Sequence, residues 1–260
     1  MRWRSASGAF YPRRMAVLGI DIGGSGIKGN LVDPFTGNLE ADRYKIATPQ
    51  PATPDAVADV IVEMIDHFEY RGPVGCTFPA IVRRGVALSA ANVDESWIGT
   101  NAEEVFERHS PGNDFTMLND ADAAGIAEVE FGAAKDRAGV VIMVTFGTGI
   151  GSGLFFDGTL VPNTELGHLE FQGHAPVEDW AAAKVKKEEG LSWEEWAGRA
   201  GAYLNHLDRL FSPDLFVFGG GVSRRWKRIG PHLGVDVEIV PAQLENEAGI
   251  VGAAMAATRR

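Results

Sequence analysis

The sequence predicts an α/β protein, and three observations carry that prediction. Apolar strand-like runs alternate with helical stretches along the whole chain. A pattern of strand, glycine-rich loop and strand near residue 20 returns near residue 145, a coarse internal repeat. A third glycine run, Gly219-Gly220-Gly221, again follows a strand-like segment.

Val17-Leu18-Gly19-Ile20 reads as a buried strand ending at Asp21, and Gly23-Gly24-Ser25-Gly26 as the turn after it. Ile27 to Val32 is a second strand, stopped by Asp33-Pro34. A helix then starts with Thr53 as N-cap, Pro54 at the first helical position and Asp55 in the first turn. Its apolar residues Val57, Val60, Ile61, Met64, Ile65 and Phe68 fall at helical spacing. Val74 to Phe78 is a strand ended by Pro79. Leu118 leads into Asn119-Asp120, and Ala121 to Val129 favours a helix, which puts the Asn-Asp pair at a helix N-terminus.

Val140 to Phe146 is the strongest strand in the chain. It runs into a loop from Gly147 to Gly153, followed by a short strand from Leu154 to Phe156. Helices are predicted over Trp180 to Lys187 and Trp193 to Leu210, a strand over Leu215 to Phe218, and a small-residue helix over Gly249 to Ala257.

Composition limits the function classes. At roughly 150 residues per domain, 260 residues suggest two domains or one large one. Apolar residues make up 45% of the chain, enough for a packed core. A net charge of −11 argues against a general nucleic-acid binder. The single cysteine, Cys76, allows neither a disulfide framework nor a four-cysteine zinc site. No apolar run reaches the roughly 18 residues of a membrane span. Arg2, Arg4, Arg13 and Arg14 stand without an apolar stretch between them, so residues 1–15 read as an N-terminal extension rather than a secretory signal, with Met1 and Met15 both open as the start. The expected compartment is the cytoplasm.

Three glycine loops are candidates for phosphate binding, because glycines let backbone N–H groups approach an anion unobstructed. The first runs from Asp21 through Gly23, Gly24, Ser25 and Gly26 to Lys28, where Lys28 adds a positive charge and Asp21 can hold a metal through water. A G-x-G-x-x-G match there lacks the helix that a dinucleotide fold needs, since Asp33-Pro34 interrupts the chain. The second loop, Thr145 to Gly153, offers Gly147, Thr148 and Gly149. The third, Gly219-Gly220-Gly221, is expected to open a helix whose N-terminus favours anions. The first loop alone reads equally as a glycine hairpin, whereas the second holds more glycines than the one or two a hairpin needs, which suggests close approach of a ligand.

Asp120 is a candidate general base for phosphoryl transfer to an alcohol, with a simple helix cap as the alternative. Glu165 and His168, three apart, offer an acceptor and a donor for a polyol. Asn92, in Ala90-Ala91-Asn92-Val93-Asp94, is a further polar-loop candidate, and an Asn-containing turn explains it equally. Two basic clusters, Lys184-Lys186-Lys187 and Arg224-Arg225-Lys227-Arg228, read as solvated faces, although the second follows the third glycine loop and suits a polyanionic chain.

These motifs together resemble the ROK family of sugar kinases, within the actin-like ATPase (ribonuclease H-like) superfamily. The carriers are Gly19 to Gly24, Leu118 to Ala121, Thr145 to Gly153, Glu165 to His168 and Phe218 to Gly221, and the likeness extends from Val17 to the C-terminus. Gly24 to Gly29 and Ala91 to Trp97 are similar to a polyphosphate-using subgroup. The resemblance implies two actin-like domains around a cleft: a small one over 16–117, a large one over 118–247, and a C-terminal helix, 248–260, packing back on the first. It implies phosphorylation of glucose at the 6-hydroxyl from inorganic polyphosphate and ATP, with Mg2+, in a homodimer.

By that resemblance Asp120 is the base, Asn92, Asn119, Glu165, His168 and Glu178 hold the sugar, and Asp21 lies near the metal and phosphates. The family's cysteine-rich zinc motif is missing from Leu169 to Glu178, so no zinc is expected. A strictly ATP-dependent glucokinase or glucomannokinase is the alternative. A regulator is the least favoured reading, since the few residues before the first strand are too few for a helix-turn-helix.

Overall fold

Val17–Ile22 (β1) and Ile27–Val32 (β2) form an antiparallel hairpin closed by Ile22 opposite Ile27, in a computed structural model that describes residues 16–90 and 93–259. The expected extension over 1–15, its alternative starts, and Asn92 lie outside the described residues. Tyr44–Ile46 (β3) adds to β2. Pro54–His67 (α1) begins where expected, with the Thr53 hydroxyl accepting the Ala56 N–H. Val74–Phe78 (β4) runs parallel to β1, as a helical crossover requires. Val82–Arg83 (β5) and Val86–Ala87 (β6) make a small hairpin beside the sheet. Ala102–His109 (α2) then leads to Phe115–Asn119 (β7), parallel to β4, and Asp120–Phe131 (α3) follows without a break.

The second half repeats this plan. Val140–Phe146 (β8), Ile150–Phe156 (β9) and Thr159–Val161 (β10) form an antiparallel meander. Glu178–Ala181 (α4), Ala183–Glu188 (α5) and Trp193–Phe211 (α6) precede Leu215–Gly219 (β11), which lies parallel to β8. After Trp226–Ile229 (α7), Ile239–Pro241 (β12) completes the sheet, and Ala248–Ala257 (α8) ends the chain. The two sheets have orders β3-β2-β1-β4-β7 and β10-β9-β8-β11-β12, the same order with the same strand senses. This duplication is what the repeated strand–glycine–strand pattern reported.

Three expectations change. The stretch from Thr145 to Gly153 is not one long loop: Phe146 pairs with Ile150, so the open turn is Gly147-Thr148-Gly149. Gly151 and Gly153 are strand residues facing α3, where a Cβ on Gly151 would lie 2.8 Å from the Ala121 Cβ. The helix over Trp180 to Lys187 is two short helices, because Ala182 is extended (ψ 156°). The third glycine run opens not into a regular helix but into a 3-10 turn, Ser223–Arg225, and the four-residue α7.

Each half has its own apolar core, and a third core joins them. α1 and α2 cover the first sheet around Ile20, Phe78, Trp97 and Phe106. α4 to α6 cover the second around Phe146, Trp196 and Phe218. The joining core is built on α3 and α8, with Val17, Met143 and Phe155 from the sheets. α8 approaches closely: a Cβ on Gly19 or Gly75 would fall on the backbone of Ile250 or Ala253, and one on Gly252 on that of Ala123. Small residues let backbones touch, which explains the composition of both helices. Among the described residues no helix is long and apolar enough to cross a membrane.

Candidate functional site

Between the two sheets lies a cavity of about 570 Å³, and the strand ends of both halves meet there. From the first half come Asp21, Gly23 and Gly24 of the β1–β2 turn, together with Ala80, Ile81 and Ser89. From the second come Thr145, Gly147, Thr148 and Gly149 of the β8–β9 turn, and Gly220. Asn119 and Asp120 sit at the junction of β7 and α3, with Glu165, His168 and Glu178 on the adjoining wall. Most of the residues singled out in the sequence are therefore brought to one place.

Others are not. Ser25 is exposed at the hairpin tip, while Gly26 is buried with the Lys45 side chain against it. Gly219 is inside β11, packed on Met143, and Gly221 faces solvent away from the cavity. Lys28 lines an adjoining cavity of about 350 Å³, which shares Asp21, Asp120, Thr145 and Gly220 with the first. The four cations from Arg224 to Arg228 line neither, although Ser223 lines the smaller, and Arg224 lies 3.9 Å from Glu245.

The Asn-Asp pair divides its work. Asn119, not Asp120, caps α3: its Oδ1 accepts the N–H groups of Ala121 and Asp122 at 2.8 and 3.3 Å. Its Nδ2 donates to the Ala80 carbonyl at 3.2 Å. Asp120 is left at the first helical position with its carboxylate open to the cavity, where Oδ1 accepts the Ala121 N–H at 2.8 Å. The surrounding cavity walls strip it of bulk water and push its carboxyl up to about 6; the Ala121 N–H works against this, and the negative charges of Asp21 and Glu165 add to it. Water entering the open cavity offsets part of that push. A carboxyl titrating above its ordinary range is suited to take a proton near neutral pH.

On the adjoining wall, the His168 ring lies between two carboxylates, 4.0 Å from Glu165 and 3.9 Å from Glu178. Burial raises the Glu165 carboxyl, opposed by His168 and reinforced by Glu178. Glu178 also accepts the Ile150 N–H at 2.9 Å.

At the end of β1, Asp21 accepts from the Thr77 hydroxyl at 2.8 Å and from Lys28 at 3.2 Å. The β1–β2 turn is pinned by the Thr48 hydroxyl, which donates to the Gly23 carbonyl. Gly220 has φ +84°, and a Cβ there would fall on the Phe146 backbone, so only glycine fits where this turn meets the second hairpin. Among the described residues no three His, Cys, Asp or Glu side chains are grouped to hold a metal ion. Asp21 alone, with both oxygens already accepting, fits a hard cation that keeps most of its water and is otherwise held by a substrate's phosphates.

Among the residues at or beside the cavity that the sequence did not mark are Lys184, Asp122 and Asn163. Lys184, expected on a solvated face, lines the cavity, and its N–H donates to the Gly147 carbonyl. Asp122 is buried beside the Asn-Asp pair, and Asn163 bonds to it. The run Asn119-Asp120-Ala121-Asp122 was a visible signal for Asp122; Asn163 had none.

Two duplicated α/β halves, with paired hairpin turns facing a carboxylate at a helix start, define an actin-like phosphotransferase fold. The chain belongs to the ROK family, whose model matches residues 17–184. It is 51% identical over 239 residues to the polyphosphate glucokinase of Mycobacterium tuberculosis, spanning 92% of this chain and 90% of that protein. The Mycobacterium leprae polyphosphate glucokinase is 49% identical, over 93% of this chain and 74% of its own length. Among solved structures, the inorganic polyphosphate/ATP-glucomannokinase of Arthrobacter sp. strain KM superimposes with a TM-score of 0.86 at 46% identity, over 94% of this chain and 99% of that one. The ROK family glucokinase of Streptomyces griseus, in complex with glucose and AMPPNP, gives 0.79 at 26% identity, over 94% and 100%.

Proposed function

We propose that the chain transfers a phosphoryl group from inorganic polyphosphate to the 6-hydroxyl of glucose, with ATP as a second donor. The observation that carries this reading is the position of Asp120, where the turns of both halves and the Glu165–His168–Glu178 wall meet in one cavity. High identity to polyphosphate glucokinases over nearly the whole chain supports the donor. The nucleotide analogue in the Streptomyces griseus relative supports ATP.

In this reading Asp120 accepts the proton of the 6-hydroxyl while that oxygen attacks the terminal phosphorus. The bond to the next bridging oxygen breaks, leaving a polyphosphate one unit shorter, or ADP when ATP is the donor. Asn119, Glu165, His168 and Glu178 hold the sugar hydroxyls, with Asn92 the further candidate. The turns at Gly23-Gly24 and Gly147-Thr148-Gly149, with Lys28, Thr145 and Gly220, face the donor. Mg2+ beside Asp21 would neutralise charge on the transferring phosphates. The segments 16–117 and 118–247, with 248–260 returning to the first, are read as two domains that close on sugar and exclude water. A cytoplasmic homodimer is carried over from the family resemblance, and sedimentation tests the dimer.

The purified chain, freed of nucleotide and given glucose, Mg2+ and polyphosphate, is expected to form glucose 6-phosphate. Product with ATP but none with polyphosphate would reduce the reading to an ATP-dependent glucokinase. No product with either donor would end it.

A further inference from the structure

The residues on either side of Asp120, Asn119 and Asp122, belong to a circuit of hydrogen bonds that the proposed chemistry does not itself use. Asn119 donates to the Ala80 carbonyl at 3.2 Å, and two residues on, the Val82 N–H donates to Asn163 Oδ1 at 3.0 Å. The Asn163 N–H in turn donates to Asp122 Oδ2 at 2.8 Å, and the Asp122 N–H returns to Asn119 Oδ1 at 3.3 Å. The circuit joins three separate stretches: the 80–82 wall from the first half, the start of α3, and the 163–166 segment from the second half. Ile81, between the two bonded residues of the first wall, lines the cavity, and so does Glu165, two residues past Asn163.

The far end of the 163–166 segment is fixed independently. The Ser152 hydroxyl donates to the Thr164 carbonyl and accepts the Leu166 N–H. Glu165 is thus held between two anchors, and within this circuit Asn163 ties its segment to the 80–82 wall. Asn163 has φ +59°, a conformation that asparagine adopts more readily than most residues. Val82 is buried, so its N–H needs the partner that Asn163 supplies.

The geometry points to Asn163 as a positioning residue for the sugar side of the reaction: its side-chain amide, bonded to Val82, sets the distance between the Ile81 wall and Glu165 across Asp120. It rests on the reading of this cavity as a sugar site. Asn163 does not itself line the cavity, so its effect passes through the two walls. The donor turns at Gly23-Gly24 and Gly147–Gly149 stand outside the circuit.

Two substitutions separate the amide from the backbone conformation. Asn163→Gly keeps the left-handed backbone at ease and deletes the amide; Asn163→Asp keeps an acceptor for Val82. In N163G the KM for glucose is expected to rise about tenfold, the scale of one buried hydrogen bond, with the KM for polyphosphate unchanged. N163D is expected to return the glucose KM to within about threefold of wild type, since the acceptor bond is restored. Exchange of the Val82 amide proton, followed by NMR without any substrate, is expected to be at least about tenfold faster in N163G and near wild type in N163D. A glucose KM unmoved in N163G, a donor KM that moves with it, or Val82 exchange unchanged would each overturn the proposal. A wild-type protein inactive on glucose would end the functional reading instead, and Val82 exchange would still decide whether Asn163 makes the tie.

Discussion

Glu178 accepts the backbone N–H of Ile150 at 2.9 Å, which joins the proposed sugar wall directly to the end of the β8–β9 turn. Gly149 is part of the same contact, since a Cβ there would press on the Glu178 carboxylate. Neutralising Glu178 removes the charge that both His168 and the Ile150 N–H face. Glu178→Gln is expected to raise the glucose KM about tenfold, as for loss of one charged hydrogen bond. Initial rates across a glucose series check this, and an unchanged KM would remove Glu178 from the sugar site.

Asp120→Asn keeps the shape of the helix start and loses the proton acceptor. Turnover is expected to fall at least about a hundredfold, with glucose binding by calorimetry retained. Near-normal turnover would refute the base assignment.

The pH profile follows from the same carboxyl. The cavity walls raise it toward about 6, although the carboxylate stays open to water in the cavity, and only its ionised form accepts a proton. The value of kcat/KM for glucose is therefore expected to be flat above this range and to fall about tenfold per pH unit below it. A profile still flat at pH 4.5 would mean that no such group governs the reaction.

Lys28 pairs with Asp21 at 3.2 Å and lines the smaller cavity beside the donor turns. Lys28→Ala is expected to raise the polyphosphate KM several-fold at low ionic strength, less so in high salt, with the glucose KM within about twofold. A change confined to glucose would place Lys28 elsewhere in the reaction.

Asp122 carries a pH-dependent cost. Burial, its largest cause, raises this carboxyl from 3.8 to about 7, with the Asn163 N–H opposing, and its Oδ1 has no hydrogen-bond partner among the described residues. Between those two values the folded chain keeps a proton that the unfolded chain has released. Its contribution to stability is thus full below about pH 4 and lost as pH rises through about 7. Asp122→Asn cannot ionise and keeps an acceptor for Asn163. Its Tm relative to wild type is expected to improve by a few degrees between pH 5 and pH 8. A constant difference across that range would show that Asp122 does not titrate there.

The sequence by itself determined the strands around Val17, Val74, Val140 and Leu215, the α1 start at Thr53, and the duplication of the fold. Those signals are local: hydrophobic period, capping residues and glycine punctuation act over a few neighbours. It also marked Asp120, Glu165 and His168 as candidates, because an Asn-Asp pair before a helix and a Glu-x-x-His spacing are visible in the chain. It did not separate the glycines that face the cavity from those that let elements touch. Gly24 and Gly147 line the cavity, whereas Gly26 accommodates Lys45 and Gly153 accommodates Phe155 and α3, and all four look alike in sequence. The structure decided that Asn119 is the cap while the Asp120 carboxylate stays open to the cavity, that Lys184 lines the cavity, and that Asn163 bonds across to Val82. The last two depend on contacts between residues 37 and 81 positions apart, Lys184 with Gly147 and Asn163 with Val82. No local pattern encodes such contacts; packing two sheets against α3 and α8 does.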